Sequence, residues 1–188
     1  MYATLINHFK KIGIKEAELT NFLSCLKTRT YDANELILVE GQMEDYLSFI
    51  DKGIVRYFVA SKNKEITVDF AFEGSFYCAY DSFYSRKQTV MYIQAITNCQ
   101  LYSISYENLQ SLYENCSIAK KLGQSATEYL LSKKVRRELD LLIKTPQERY
   151  EALLKNRTKL IKHIPQMYIA SYIGVVPETL SRIRKRIS

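Results

Sequence analysis

The spacing of apolar residues near the C-terminus predicts two short helices joined by a tight turn. The first helix has apolar residues at helical spacing on one face, namely Ile169, Ala170 and Ile173. Gly174 follows, and a glycine just past the last periodic residue can adopt the left-handed conformation that ends a helix. Pro165 and Pro177 stand where the two helices can begin, because the first residues of a helix do not need the N–H that proline lacks.

The second helix has an apolar inner stripe and a polar outer face. Leu180 and Ile183, three residues apart, form the stripe. The outer face carries Glu178, Thr179, Ser181, Arg182, Lys185 and Arg186. Ala170 suits the point where the helices cross, since a steep crossing over a short turn leaves little room for a larger side chain. The pattern is typical of a helix-turn-helix, and an ordinary basic, amphipathic pair of helices is the alternative that spacing leaves open.

The middle of the chain carries the alternation that is typical of β-strands. Residues 46–58 read as two strands about a turn that contains Gly53. Further strands are predicted over residues 65–72, 91–97 and 99–105, and a helix over 105–112. Short strands at regular intervals favour an antiparallel barrel or jelly roll.

Residues 117–144 predict one long helix with two apolar rows. The first row contains Ile118, Leu122, Ala126, Tyr129 and Leu130. The second row lies on a different face and contains Leu131, Val135, Leu139 and Leu142. One row could pack on the strands while the other meets a second copy of the chain, which predicts a two-fold dimer. Burial of both rows inside a monomer is the alternative.

This order of elements resembles the Crp/Fnr family of cyclic-AMP receptor protein and fumarate-nitrate regulators. The sharpest likeness is GVVPETLSRI at 174–183, which resembles the family's DNA-recognition segment, and GQMEDYLSFIDKGIVRYF at 41–58 resembles its early strands. The resemblance spans about residues 15–188 and implies an α+β fold in three parts. These are a cyclic nucleotide-binding-like antiparallel β-roll of the jelly-roll type at 1–116, a long dimerisation helix at 117–144 and a helix-turn-helix DNA-binding domain at 145–188.

The resemblance also assigns roles on the second terminal helix. Glu178 aligns with a family glutamate that can accept from a cytosine amino group, and Arg182 aligns with an arginine that can bond a guanine or a phosphate. The other candidates for contacts with DNA on this helix are Thr179, Ser181, Lys185 and Arg186. Pro177 replaces a further base-reading arginine, so the half-site should differ. A dimer would hold two such helices about 34 Å apart, which suits an inverted repeat in double-stranded DNA.

The same resemblance argues against cyclic AMP as a ligand. The family's pocket uses a glycine–glutamate pair for the ribose and an arginine–serine pair for the cyclic phosphate. An ungapped match places Cys78 and Ala79 at the first pair and Thr89 and Val90 at the second. A buried phosphodiester would lack its charged partner, so high affinity for cyclic AMP is not expected.

Other residues near this stretch leave a different ligand open. Arg86 and Lys87 could replace the missing arginine if the loop shifts by a few residues. Tyrosines cluster here at Tyr77, Tyr80, Tyr84 and Tyr92, and they either line a pocket for another small molecule or fill a core. No cofactor is expected, and the sequence does not identify an effector.

Charge is concentrated toward the C-terminus. Residues 133–188 contain 14 Lys and Arg against 5 Asp and Glu, a net charge of +9. The whole chain of 188 residues carries +7, so the rest carries −2. A positive face is the expected footprint of phosphate binding, although a solvated helix surface would also explain a run of charges.

The remaining patterns restrict the class of protein. No apolar run approaches the length of a membrane span and the N-terminus lacks a secretory signal, so we expect no membrane partner and a cytoplasmic location. The four cysteines, Cys25, Cys78, Cys99 and Cys116, have no C-x-x-C spacing and are expected to be thiols that bind no metal.

An enzyme is not expected. His8 and His163 are far apart, and the chain has neither a phosphate-binding glycine loop nor the motifs of zinc proteases and serine hydrolases. We therefore predict a transcription regulator, with RNA polymerase as a further candidate partner. A ligand-binding module that acts through protein partners rather than DNA is the alternative.

Overall fold

The computed structural model describes residues 2–62, 64–115 and 117–187. The chain divides into two compact units, which are described separately. The first contains Met1–Tyr57 and Phe70–Leu122, and the second contains Phe58–Asp69 and Gly123–Ser188. No helix in the described ranges combines the length and the hydropathy needed to cross a membrane.

Within these described ranges, eight strands form two four-stranded sheets, with strand orders β1-β8-β3-β6 and β2-β7-β4-β5. The strands are β1 (Lys27–Tyr31), β2 (Leu36–Leu38), β3 (Tyr46–Lys52), β4 (Ile54–Ser61), β5 (Lys64–Phe72), β6 (Phe76–Tyr77), β7 (Tyr92–Ala95) and β8 (Cys99–Ser105). In the first sheet β8 pairs antiparallel with both β1 and β3, and β6 pairs with β3. The prediction of an antiparallel β-roll is therefore confirmed.

The turn at Gly53 carries the chain from one sheet to the other. Gly53 has φ +103°, a conformation that residues with a side chain rarely adopt. Its N–H donates to the Glu73 carboxylate at 3.0 Å, and the N–H of Ile54 donates to the Thr97 hydroxyl at 3.1 Å. Side chains from two other turns thus hold the point where β3 ends and β4 begins.

Helices flank the sheets of the first unit. They are α1 (Ala3–Lys11), α2 (Thr20–Ser24), α3 (Tyr80–Ser85) and α4 (Tyr106–Asn115), with a 3₁₀ turn at Glu16–Leu19. Leu5 and Phe9 of α1 are buried in one cluster with Phe49 of β3 and Tyr102 of β8. These strand residues alternate with inward-facing neighbours, so both faces of the β3–β8 pair are covered.

The second unit is built mainly from α-helices. They are the greater part of α5 (Ser117–Ile143), then α6 (Pro146–Ile161), α7 (Gln166–Ile173) and α8 (Pro177–Ile187). A capping box opens α6, because Thr145 N–H donates to the Glu148 carboxylate at 2.7 Å and Glu148 N–H donates to the Thr145 hydroxyl at 3.3 Å. The hydrogen bonds that the Glu148 carboxylate accepts from the Thr145 N–H and, at 2.8 Å, from the Thr145 hydroxyl lower the pKa of Glu148. The predicted long helix and terminal pair of helices are both present.

Candidate functional site

Helices α7 and α8 meet over a three-residue turn. Gly174 has φ +77°, and the N–H of Val175 returns to the Ala170 carbonyl at 2.9 Å, which closes the end of α7. The buried residues of the pair are Ile169, Ala170, Ile173, Leu180 and Ile183. Ala170 is 0% exposed, as expected for a small residue where two helices cross. The local signals in the sequence therefore determine this motif.

The outer face of α8 is polar and open. Glu178, Ser181, Arg182, Lys185 and Arg186 are exposed and Thr179 is half-buried. On a helix with 3.6 residues per turn these six positions share one side, opposite Leu180 and Ile183. Their side chains form no hydrogen bond or ion pair with any part of the chain that the structure describes. This surface is therefore available to a partner.

Two polar side chains that the sequence did not indicate, those of Ser171 and Arg149, hold the end of α7. The Ser171 hydroxyl accepts from Thr67 N–H of β5 at 2.8 Å and donates to the Glu65 carbonyl at 3.2 Å. Arg149 of α6 donates from Nε to the Ile173 carbonyl at 2.9 Å and from Nη1 to the Lys144 carbonyl at 2.6 Å. The Ile173 and Lys144 carbonyls lie at the ends of α7 and α5, where acceptors lack partners within the helix.

The second apolar row of α5 lies on the surface of the single chain. Leu131, Val135, Leu139 and Leu142 are 65%, 48%, 49% and 75% exposed. In the first row Ala126 is exposed and Leu130 is half-buried. The other first-row side chains, of Ile118, Leu122 and Tyr129, lie outside those that the structure describes. A continuous exposed apolar stripe on one helix indicates a surface that contacts another protein.

The candidate ligand residues fall in different environments. Tyr77, Cys78 and Ala79 are buried, with Tyr80 half-buried beside them, whereas Val90 is 62% exposed. Cys78 belongs to a core cluster with Phe83, Ile104 and Leu109, and burial raises the pKa of its thiol well above the usual value. Thr89 is buried and its hydroxyl accepts from Met91 N–H at 3.0 Å. Cys25 and Cys99 are also free thiols, and Cys116 lies outside the described residues.

A buried carboxylate lies directly against Ala79. Glu44 is 5% exposed, and its two carboxylate oxygens accept from Tyr46 N–H at 3.0 Å and from Ala79 N–H at 3.2 Å. Burial raises the pKa of Glu44, although the two amide hydrogen bonds and the nearby charge of Arg29 oppose that shift. The sequence offered no signal for this group, because one of its partners is 35 residues away.

Arg86 is one of the two residues that could replace the missing phosphate-binding arginine. In the structure its side chain is bound next to Glu44. Its Nη1 donates to the Glu44 carbonyl at 2.8 Å, and its Nη2 forms an ion pair with Asp45 at 2.5 Å. The guanidinium also lies 4.2 Å from the centre of the Tyr106 ring. These contacts within the protein hold the Arg86 side chain in place.

We expect Glu44 to make stability depend on pH. Its pKa is higher in the folded state than the unfolded value of about 4.3. The contribution of Glu44 to the free energy of unfolding is therefore fully present below the pKa of the unfolded state. It is lost as the pH rises through the pKa of the folded state. The free energy of unfolding of the Glu44→Gln variant, measured by urea titration from about pH 4 to pH 8, should decline less with pH than that of the unmodified protein.

The control for this experiment is Asp45→Asn, which removes a neighbouring but half-exposed carboxylate. Any cost of placing a glutamine amide against two N–H groups does not vary with pH. It therefore leaves the slope of the free energy of unfolding against pH unaffected. Parallel curves for Glu44→Gln and the unmodified protein would contradict the raised pKa.

Comparison with known proteins identifies the class of domain. Residues 28–116 match the family model of the cyclic nucleotide-binding domain. The match covers the strands from β1 to β8 together with α3 and α4. A comparison with curated proteins gives no significant match.

Solved structures extend the likeness over most of the chain. CLP, a c-di-GMP-responsive global regulator from Xanthomonas campestris, is 20% identical with a TM-score of 0.72 and covers 92% of this chain and 91% of its own. FixK2 from Bradyrhizobium japonicum is 18% identical with a TM-score of 0.76 and covers 86% and 84%. A Eubacterium rectale protein assigned to the Crp/Fnr family of transcriptional regulators is 16% identical with a TM-score of 0.72 and covers 96% and 87%.

The chain thus contains a cyclic nucleotide-binding-type roll and has the fold of Crp/Fnr transcription regulators. The resemblance predicted from residues 41–58 and 174–183 is confirmed for the fold. The Xanthomonas campestris and Eubacterium rectale proteins are described as regulators, and the matched family is a ligand-binding domain.

Proposed function

We propose that this protein is a sequence-specific DNA-binding regulator that binds an inverted repeat as a homodimer. The observation that carries the proposal is the outer face of α8, where six polar side chains form no hydrogen bond or ion pair with the described residues and lie opposite a buried apolar stripe. Arg182 and Glu178 can read base edges in the major groove, and Lys185 and Arg186 can contact phosphates. The net charge of +9 over residues 133–188 supports binding to DNA.

The exposed stripe on α5 supports the homodimer. Isolated apolar side chains on a surface are common, but four of them on one helical face are typical of a protein contact. A second copy of the same helix offers a complementary apolar face, as in other two-fold interfaces. The dimer would present two copies of α8 to two half-sites one DNA turn apart.

The roll is proposed to bind no cyclic AMP. No charged side chain occupies positions 78, 79, 89 or 90, and Arg86 is held by Glu44, Asp45 and Tyr106. The Glu44 carboxylate also accepts a hydrogen bond from the Ala79 N–H, and it would repel a phosphate placed beside it. Calorimetric titration of the purified protein with cyclic AMP should give no binding heat at ligand concentrations up to about 1 mM.

The function is tested by selecting binding sequences from random double-stranded DNA, without added ligand. We expect an inverted repeat to be enriched. Arg182→Ala should lose the preference at one base pair of each half-site, at a cost of about 1–3 kcal/mol for each contact, because a base-reading arginine is removed. Arg136→Ala, which removes the same charge from an exposed position on α5, is the control and should keep the preference.

Two outcomes would contradict the proposal. In the first, no sequence is enriched, either with or without cell extract as a source of effectors. The protein would then not recognise DNA, and a ligand-binding module that acts through protein partners would be the better interpretation. Enrichment that Arg182→Ala leaves unchanged would mean that α8 is not the reading helix.

A further inference from the structure

Three consecutive residues in the last turn of α7 are each held by a different element of the second unit. Ser171 is bound to β5 through Thr67 and Glu65, and the Ile173 carbonyl is bound to Arg149 of α6. The residue between them, Tyr172, is bound to α5. The turn that aims α8 therefore follows directly after a segment whose position is set from three sides.

Arg137 makes the contact from α5. Its Nη2 donates to the Tyr172 carbonyl, and its guanidinium lies 3.8 Å from the centre of the Tyr172 ring. Burial raises the pKa of Tyr172 to about 12, so the ring stays uncharged beside the arginine. A carbonyl at a helix end has no partner within its own helix, and a charged donor satisfies it strongly.

Arg137 lies on the face of α5 opposite the apolar stripe. Helical geometry places Leu131, Val135, Leu139 and Leu142 on one side and Lys133, Arg137, Asp140 and Lys144 on the other. On the polar side Lys133 forms an ion pair with Asp69 of β5 at 2.8 Å, and Lys144 pairs with Asp140 at 2.7 Å. One helix therefore carries the proposed dimer contact on one face and the support for α7 on the other.

We propose that Arg137 is a positioning residue that fixes the distance between the two reading helices of the dimer. The inference rests on the proposed function. Since α5 would be fixed to its copy through the stripe, a bond from α5 to the end of α7 transfers that fixed geometry to α8. Arg137 thereby determines which spacing between half-sites the protein accepts, without itself contacting a base.

The experiment compares binding to a set of duplexes that carry the selected inverted repeat with spacers from two base pairs shorter to two longer. Each inserted base pair moves a half-site by about 3.4 Å and rotates it by about 35°, so a rigid dimer distinguishes between them. We expect the unmodified protein to prefer one spacer by at least about tenfold. Arg137→Gln should reduce that preference about tenfold, because a hydrogen bond from a charged donor is lost.

The base preference within each half-site separates positioning from simple damage. Arg137→Gln should retain it, whereas Arg182→Ala should lose it at one base pair of each half-site and keep the spacer preference. Arg136→Gln is the matched control, because it removes the same charge one residue away from a side chain that has no hydrogen bond or ion pair with described residues. Arg137→Lys restores a charged donor and should recover part of the spacer preference.

The results distinguish failure of the inference from failure of the function. If the unmodified protein enriches no repeat, the proposed function has failed and this inference fails with it. If the repeat is enriched and Arg137→Gln keeps the full spacer preference, only the inference is overturned. Should Arg137→Gln unfold, as monitored by circular dichroism, Arg137→Lys decides instead: a spacer preference weaker than that of the unmodified protein supports the inference, and an unchanged preference overturns it.

Discussion

Replacing Leu139 with glutamate is expected to convert the proposed dimer to a monomer and to lower its affinity for the proposed inverted repeat by about a hundredfold or more. Leu139 lies in the middle of the exposed stripe on α5 and is 49% exposed in the single chain. In a two-fold interface its side chain would meet the same stripe of the second copy, and an unpaired carboxylate there costs about 3 kcal/mol or more. That free energy corresponds to about two orders of magnitude in the dimer equilibrium.

The loss of DNA affinity follows from the loss of the second half-site. A dimer that holds one half-site binds the other as an intramolecular step, and a monomer has no such advantage. Sedimentation of the protein would give its mass, and titration of labelled duplex would give its affinity. Arg136→Glu adds a glutamate to α5 away from the stripe and should remain a dimer; a Leu139→Glu protein that also remains a dimer would exclude the stripe as the interface.

The terminal helices could be predicted because their signals are local. Pro165, Gly174 and Pro177 mark helix boundaries within a few residues, and the structure places the ends of α7 and α8 at these positions. Strand β8 and the long helix α5 likewise follow patterns that are readable over a short window. In each case the apolar residues that drive burial are neighbours in sequence.

Other elements depend on partners far along the chain. Strand β1 has the sequence KTRTY, in which apolar and polar residues do not alternate. It is a strand because it pairs with β8, about 70 residues later in the chain. The short strands β2 and β6 depend similarly on β7 and β3. Helix α6 did carry a local signal, the capping box of Thr145 and Glu148, which sequence analysis missed.

The candidate site divides in the same way. The face of α8 could be read from spacing, whereas the groups that support α7 could not. Ser171 meets β5 across more than 100 residues of sequence, and Arg137 and Arg149 look like ordinary members of a basic segment. Positioning residues can therefore be recognised only in the structure, because their function depends on where distant backbone carbonyls lie.

The second large effect is expected at the turn between the two sheets. Gly53→Ala should lower the free energy of unfolding by about 2–5 kcal/mol, from the combined costs of strain at positive φ and of overpacking. An added Cβ would lie 2.6 Å from the Cys99 sulfur and 2.7 Å from the Asn98 carbonyl oxygen. Proteins of this size are stable by about 5–15 kcal/mol, so the loss is a large fraction of the total.

A matched glycine separates the two causes. Gly13 has φ +86°, but an added Cβ there has no atom within 4 Å, so Gly13→Ala should cost only the strain of about 1–2 kcal/mol. Urea unfolding of both variants would measure the difference, which reports the steric contact alone. Equal losses would mean that Asn98 and Cys99 move away from the turn at little cost.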